Sequence, residues 1–194
     1  AASVVLGLDA DLVKIGTGGT WSGDLDLGAG ANSFENDGTF TGSVTAGAGI
    51  DEFANLANGT ISGSVDLGGG ADIGTNLGEI ALDLMLGAGQ DQFLNALVIG
   101  GSVGGTIDGG EGTDSLILGG TGAQGFNLST IVRIETIDKR DAGTWTLTGN
   151  ATVDQVVVRA GRLILDIGAS LTAPTASVAA GARLDVDGAL TGSL

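Results

Sequence analysis

An acid or amide returns along this chain at Asp11, Asn32, Asp51, Asp72, Asp91 and Asp114, in steps of 21, 19, 21, 19 and 23 residues. Each copy closes a glycine-rich phrase. Gly28-Ala29-Gly30-Ala31-Asn32-Ser33-Phe34 is followed by Gly47-Ala48-Gly49-Ile50-Asp51-Glu52-Phe53 and by Gly68-Gly69-Gly70-Ala71-Asp72. Gly87-Ala88-Gly89-Gln90-Asp91-Gln92-Phe93 and Gly110-Glu111-Gly112-Thr113-Asp114-Ser115-Leu116 continue the series, and Gly7-Leu8-Asp9-Ala10-Asp11-Leu12-Val13 is a looser early copy. A period near twenty residues marks a stacked-repeat architecture, because one such unit cannot bury its apolar face without a neighbour.

Other columns keep the same register. Two residues after the acid stand Val13, Phe34, Phe53, Gly74, Phe93 and Leu116, an apolar stack with one gap; two further on stand Asn36, Asn55, Asn76 and Asn95. Ahead of each glycine phrase lie the columns Trp21, Phe40, Ile61, Ile80, Val103 and Leu25, Val44, Val65, Leu84, Ile107. Between these two columns comes a third, Gly23, Gly42, Gly63 and Gly105, with Leu82 as its exception. Period-two alternation reads as short strands and the glycines as bends between them. The expected fold is all-β: a right-handed parallel β-helix (solenoid) of about 19–23 residues per turn. Rungs about 4.8 Å apart bring like residues into ladders, apolar ones inside and asparagines passing amide hydrogen bonds from turn to turn.

Composition agrees with a thin, regular rod. Gly is 38 of 194 residues and Pro only 1, while 42% hydrophobic content argues against disorder. There is no Cys and no His, so neither disulfides nor thiolate or imidazole sites exist. No apolar run reaches the roughly 18–20 residues that span a bilayer, and no signal peptide opens the chain. Charge divides it. Residues 1–120 carry 16 acids and the single base Lys14, whereas residues 121–194 carry seven acids and six bases, Arg133, Lys139, Arg140, Arg159, Arg162 and Arg183. Two parts are expected: acidic Gly/Asp-rich repeats over 1–120 and continuing coils over 121–194. The acidic part excludes nucleic acid as a partner and suits cations or a solvated face.

The acid column admits two readings. In one, a tight Gly-Asp turn uses its carboxylate to cap backbone N–H groups. In the other, Asp51, Asp72, Asp91 and Asp114 hold Ca²⁺. Gly109-Gly110-Glu111-Gly112-Thr113-Asp114-Ser115-Leu116 resembles the start of the calcium-binding RTX nonapeptide. That resemblance implies turn carbonyls and the Asp carboxylate as oxygen ligands. In the other copies Leu27, Ala46, Leu67 and Leu86 stand where the nonapeptide has its first Gly, and the motif comes once per turn.

From Ile134-Glu135-Thr136-Ile137-Asp138-Lys139 the chain runs through Gly143-Thr144-Trp145-Thr146-Leu147-Thr148-Gly149-Asn150. It continues with Val158-Arg159-Ala160-Gly161-Arg162-Leu163 and Val178-Ala179-Ala180-Gly181-Ala182-Arg183-Leu184. This succession, over 132–194, resembles the passenger domains of Gram-negative autotransporters (type V secretion), and the looser upstream Gly-x-Gly-x-Asp repeats resemble those of alphaproteobacterial members. The resemblance implies a surface-displayed parallel β-helix, extracellular or outer-membrane-associated, whose last coils promote folding of the rest. It also implies a cognate outer-membrane β-barrel as partner, which this chain does not contain. Trp145 would be a buried anchor, and the bases a scattered, solvated set.

Three function classes follow: a non-catalytic stalk or adhesin, a calcium-stabilised RTX-like secretion or folding module, and a carbohydrate-active β-helix enzyme. The last fares worst, since the chain has no Tyr or His, two Trp, almost no bases in its first 120 residues and loops too short to wall a substrate. No catalytic residue and no cofactor site is assigned. Partners are then a host or matrix surface, or a second copy, as neither Ala1 nor Leu194 sits in an evident cap for the open strand ends.

Overall fold

A computed structural model describes residues 3–96 and 102–193; Ala1 and Leu194 lie outside them. Four-residue strands begin at Leu12, Ser33, Glu52, Ile73, Gln92, Ser115, Thr136 and Gln155, each paired in parallel with the next. Thr175–Val178, the end of the strand Ser170–Val178, makes the ninth rung. The rungs therefore follow one another every 19–23 residues, and the molecule is a parallel β-solenoid.

Two further faces close each coil. Two-residue strands at Val4, Leu25, Val44, Val65, Leu84, Ile107 and Ile131 form the face that precedes the glycine phrase. Strands at Thr20–Ser22, Thr39–Thr41, Thr60–Ile61, Glu79–Ile80 and Ser102–Val103 form the one that follows the long sheet. From residue 123 that last face is built instead by Ala123–Asn127, Thr144–Thr148, Arg162–Leu165 and Arg183–Val186. The long sheet crosses the change unbroken, because Ser115–Leu118 pairs with Thr136–Lys139. Around 119–125 the solenoid alters its side faces and keeps its core.

The interior is the set of columns seen in the sequence. Phe34 and Phe53 stack with ring centroids 5.6 Å apart, and Trp21 stacks on Phe40 at 5.9 Å. Leu25, Val44, Val65, Leu84 and Ile107 are all buried. Each such side chain contributes roughly 1.5–3 kcal/mol of burial. Gly74 leaves the one gap, and the Phe93 ring occupies it: a Cβ at Gly74 would meet that ring at 2.8 Å. Trp145 is fully buried, and its indole Nε1 donates to the Gly119 carbonyl at 2.8 Å. The turns stack as tightly as the strands. Gly47, Gly68, Gly87 and Gly110 have φ of 96°, 85°, 103° and 96°, and a Cβ on any of them would collide with the carbonyl of the glycine one rung before. Only glycine meets both demands.

Candidate functional site

The acid column becomes one continuous hydrogen-bonded row inside the wall of the solenoid. Asn32, Asp51, Asp72, Asp91 and Asp114 are 2% exposed or less. The backbone N–H of each residue donates to the side chain one rung on: Asp11 to Asn32 Oδ1, Asn32 to Asp51 Oδ1, Asp51 to Asp72 Oδ1, Asp72 to Asp91 Oδ1, and Asp91 to Asp114 Oδ1, at 2.7–3.0 Å. Glu135 ends the row, accepting from Asp114 N–H at 2.7 Å. The carboxylates thus cap N–H groups, as the turn reading expects, but those of the preceding rung.

The second oxygen of each acid differs. Oδ2 of Asp11, Asp51, Asp72, Asp91 and Asp114 is buried without a hydrogen-bond partner. At Asn32 the same seat holds an NH₂ group, which donates to the carbonyls of Gly28, Gly30 and Ala46 at 3.4, 3.2 and 3.4 Å. Burial pushes the Asp72 carboxyl up to about 7, against the lowering effect of the Asp51 N–H, with the charges of Asp91 and Asp51 adding to the rise. Burial likewise raises Asp114 to about 6, helped by Asp91 and Glu135, and raises Asp91.

For Ca²⁺ at Asp51, Asp72, Asp91 or Asp114 the seat supplies few oxygens from protein atoms alone. One free carboxylate oxygen and the three carbonyls around the Asn32 amide make four oxygens, whereas Ca²⁺ takes six to eight. The carboxylates come one per rung, and among the described residues no three or more acids gather into a metal-holding group.

A second column of acids caps N–H groups within its own turn. Asp26, Asp66 and Asp108 accept from the N–H of Gly28, Gly68 and Gly110, two residues on, at 2.9–3.2 Å. This is the Asx-turn arrangement, and its signal, Asp-x-Gly, stood in the sequence beside the louder Gly-x-Gly-x-Asp. The asparagine ladder runs as expected for two steps: Asn36 Nδ2 donates to Asn55 Oδ1, and Asn55 Nδ2 to Asn76 Oδ1, both at 2.9 Å. It then turns aside, since Asn76 donates to the Ser102 carbonyl.

The bases of the C-terminal part are not a uniformly solvated set. Lys139 is fully buried at the ladder position two rungs beyond Asn95, and its Nζ donates to the carbonyls of Arg140, Asp141 and Ala160. Burial lowers its pKa. Arg140 and Arg159 both pair with the buried Asp138, Arg162 and Arg183 with Asp185, and Arg133 with Asp108. These partners leave each guanidinium engaged with a carboxylate of its own chain. An open trough of about 680 Å³ runs along the glycine turns beside Ala88, Gly89, Glu111 and Gly112. Among the described residues no helix is long and apolar enough to cross a membrane.

No known protein family matches the chain, and no curated protein or solved structure matches it significantly.

Proposed function

We propose that the chain is a length of non-catalytic stalk, part of a surface-displayed autotransporter passenger that extends from a cognate outer-membrane barrel and presents an acidic flank to a matrix, a host surface or a second copy. The observation that carries this reading is how the coils spend their polar groups. The asparagine ladder, the acid row, the Asp-x-Gly caps and Lys139 all tie one rung to itself or to the next. A wall built this way supplies stiffness and length. The autotransporter-like run from Gly143 to Asn150 supports the secretion route, and its Trp145 anchors the coils there.

The test is display. The chain, with an epitope at its N-terminus, is fused ahead of an autotransporter β-barrel in a Gram-negative host. Antibody should label intact cells, and surface protease should release a folded, β-rich fragment. An epitope that stays inaccessible while the barrel inserts would overturn the reading. Clumping of displaying cells that disappears when the exposed Glu52, Glu79 and Glu111 are neutralised would assign the acidic surface to self-association.

A further inference from the structure

We propose that the buried acid row is a proton-binding site: the folded solenoid holds Asp72, Asp91 and Asp114 as neutral carboxylic acids, each hydroxyl donating to the carbonyls of its own glycine turn. The seat itself makes the case. Asn32 occupies it with a hydrogen-bond donor and finds the carbonyls of Gly28 and Gly30, four and two residues before it, and of Ala46 on the next rung. The repeat sets Gly68 and Gly70 in those places for Asp72, Gly87 and Gly89 for Asp91, and Gly110 and Gly112 for Asp114. A charged carboxylate would turn a bare, buried oxygen on to carbonyl oxygens. A protonated one supplies the donor that the seat takes at Asn32.

The charged groups acting on the row are all acids. Asp72 faces Asp51 and Asp91, Asp91 faces Asp72 and Asp114, and Asp114 faces Asp91 and Glu135. The nearest bases in sequence are spoken for elsewhere, Lys14 by Glu35 and Arg133 by Asp108. Among the described residues no cation pairs with the row, so each proton also removes a like-charge repulsion at strand spacing.

Linkage gives the sign. A carboxyl whose folded pKa lies above its unfolded 3.8 takes up protons on folding, so stability grows as pH falls from the folded values of about 7 and about 6 toward the unfolded one. The chain has no His, so no side chain with an ordinary pKa titrates between pH ~5 and ~8.

The experiment compares the chain with its Asp72→Asn, Asp91→Asn, Asp114→Asn triple variant, each melted at pH ~5 and pH ~8 with calcium or with chelator. The wild-type chain should melt lower at pH ~8 than at pH ~5, in calcium and chelator alike. The variant should melt at one temperature across that window, and above wild type at the alkaline end. A folded variant that melts below wild type at pH ~8 would overturn the proposal. So would calcium raising the alkaline melting temperature of wild type but not of the variant, which would put a cation in the seat. If the triple variant does not fold, infrared spectroscopy of the wild type decides. A carboxylic-acid carbonyl stretch should be present in the folded chain at pH ~6 and fade by pH ~8; its absence at the lower pH would sink the idea.

Discussion

Asn32 and Asp51 occupy one seat on successive rungs, and a single hydrogen-bond donor separates them. Both accept an N–H through Oδ1, yet only the amide satisfies its second atom. Buried polar groups are costly when unmatched, and the cost falls on whichever partner is left behind. The same reasoning sizes the asparagine ladder. Asn55 accepts from Asn36 and donates to Asn76 and to the carbonyls of Gly59 and Glu79, all inside the wall. Asn55→Ala strands the Asn76 oxygen and leaves the Asn36 amide only the Thr60 carbonyl at 3.4 Å, so it should destabilise the chain by about 3 kcal/mol. Urea denaturation monitored by circular dichroism measures this; a loss under about 1 kcal/mol would mean that water replaces the ladder.

At the scale of the coil, the unit of construction is a period rather than an element. Glu52 to Asp72 is one such period: the strand that begins at Glu52 pairs with the one that begins at Ile73, residue for residue. Removing residues 52–72 joins Asp51 to Ile73 in the relation that Asp72 had to it. The shortened chain should fold cooperatively and lose about 4.8 Å of length by small-angle scattering. Removing one residue fewer shifts every inward side chain of the joined rung to the outer face, and that chain should lose its cooperative melt.

This periodicity is also why so much was legible beforehand. The columns through Phe34, Val44, Phe40 and Asn36 were readable because a parallel in-register stack repeats a position's environment on every rung. What escaped was set by single rungs. Lys139 looked like a surface base because no earlier coil has a cation at that place; its burial depends on carbonyls at Arg140, Asp141 and Ala160 that only the local turn brings together. The direction of the acid row escaped too, since sequence spacing gives a carboxylate's column but not which rung's N–H it meets.

Over the whole molecule the acids pull stability in two directions. The chain carries a formal charge of −16 at neutral pH, and self-repulsion on that scale opposes a compact state. Ordinary surface carboxylates shed that charge only near pH ~4, so between pH ~8 and ~5 the buried row alone fills, and the alkaline side of the stability profile should rise as pH falls through that window. A second set of carboxylates works in the opposite sense. The Thr17 hydroxyl and the Asn58 amide hold Asp37 below the usual carboxylate range, and Arg183 with Arg162 does the same for Asp185. A depressed folded pKa contributes stability that is present above the unfolded value of 3.8 and is lost as pH falls through the folded one. The urea midpoint should therefore pass through a maximum in mildly acidic solution and drop again below pH ~4. Asp185→Asn separates the two limbs. It removes the carboxylate that Arg162 and Arg183 share, so part of the acid-side drop should vanish while the rise between pH ~8 and ~5 keeps its size, because Asp185 lies in the last described coils and the buried row ends at Glu135. A midpoint that climbs steadily up to pH ~8 in the wild-type chain would show that charged carboxylates, not neutral ones, are what the solenoid wall prefers.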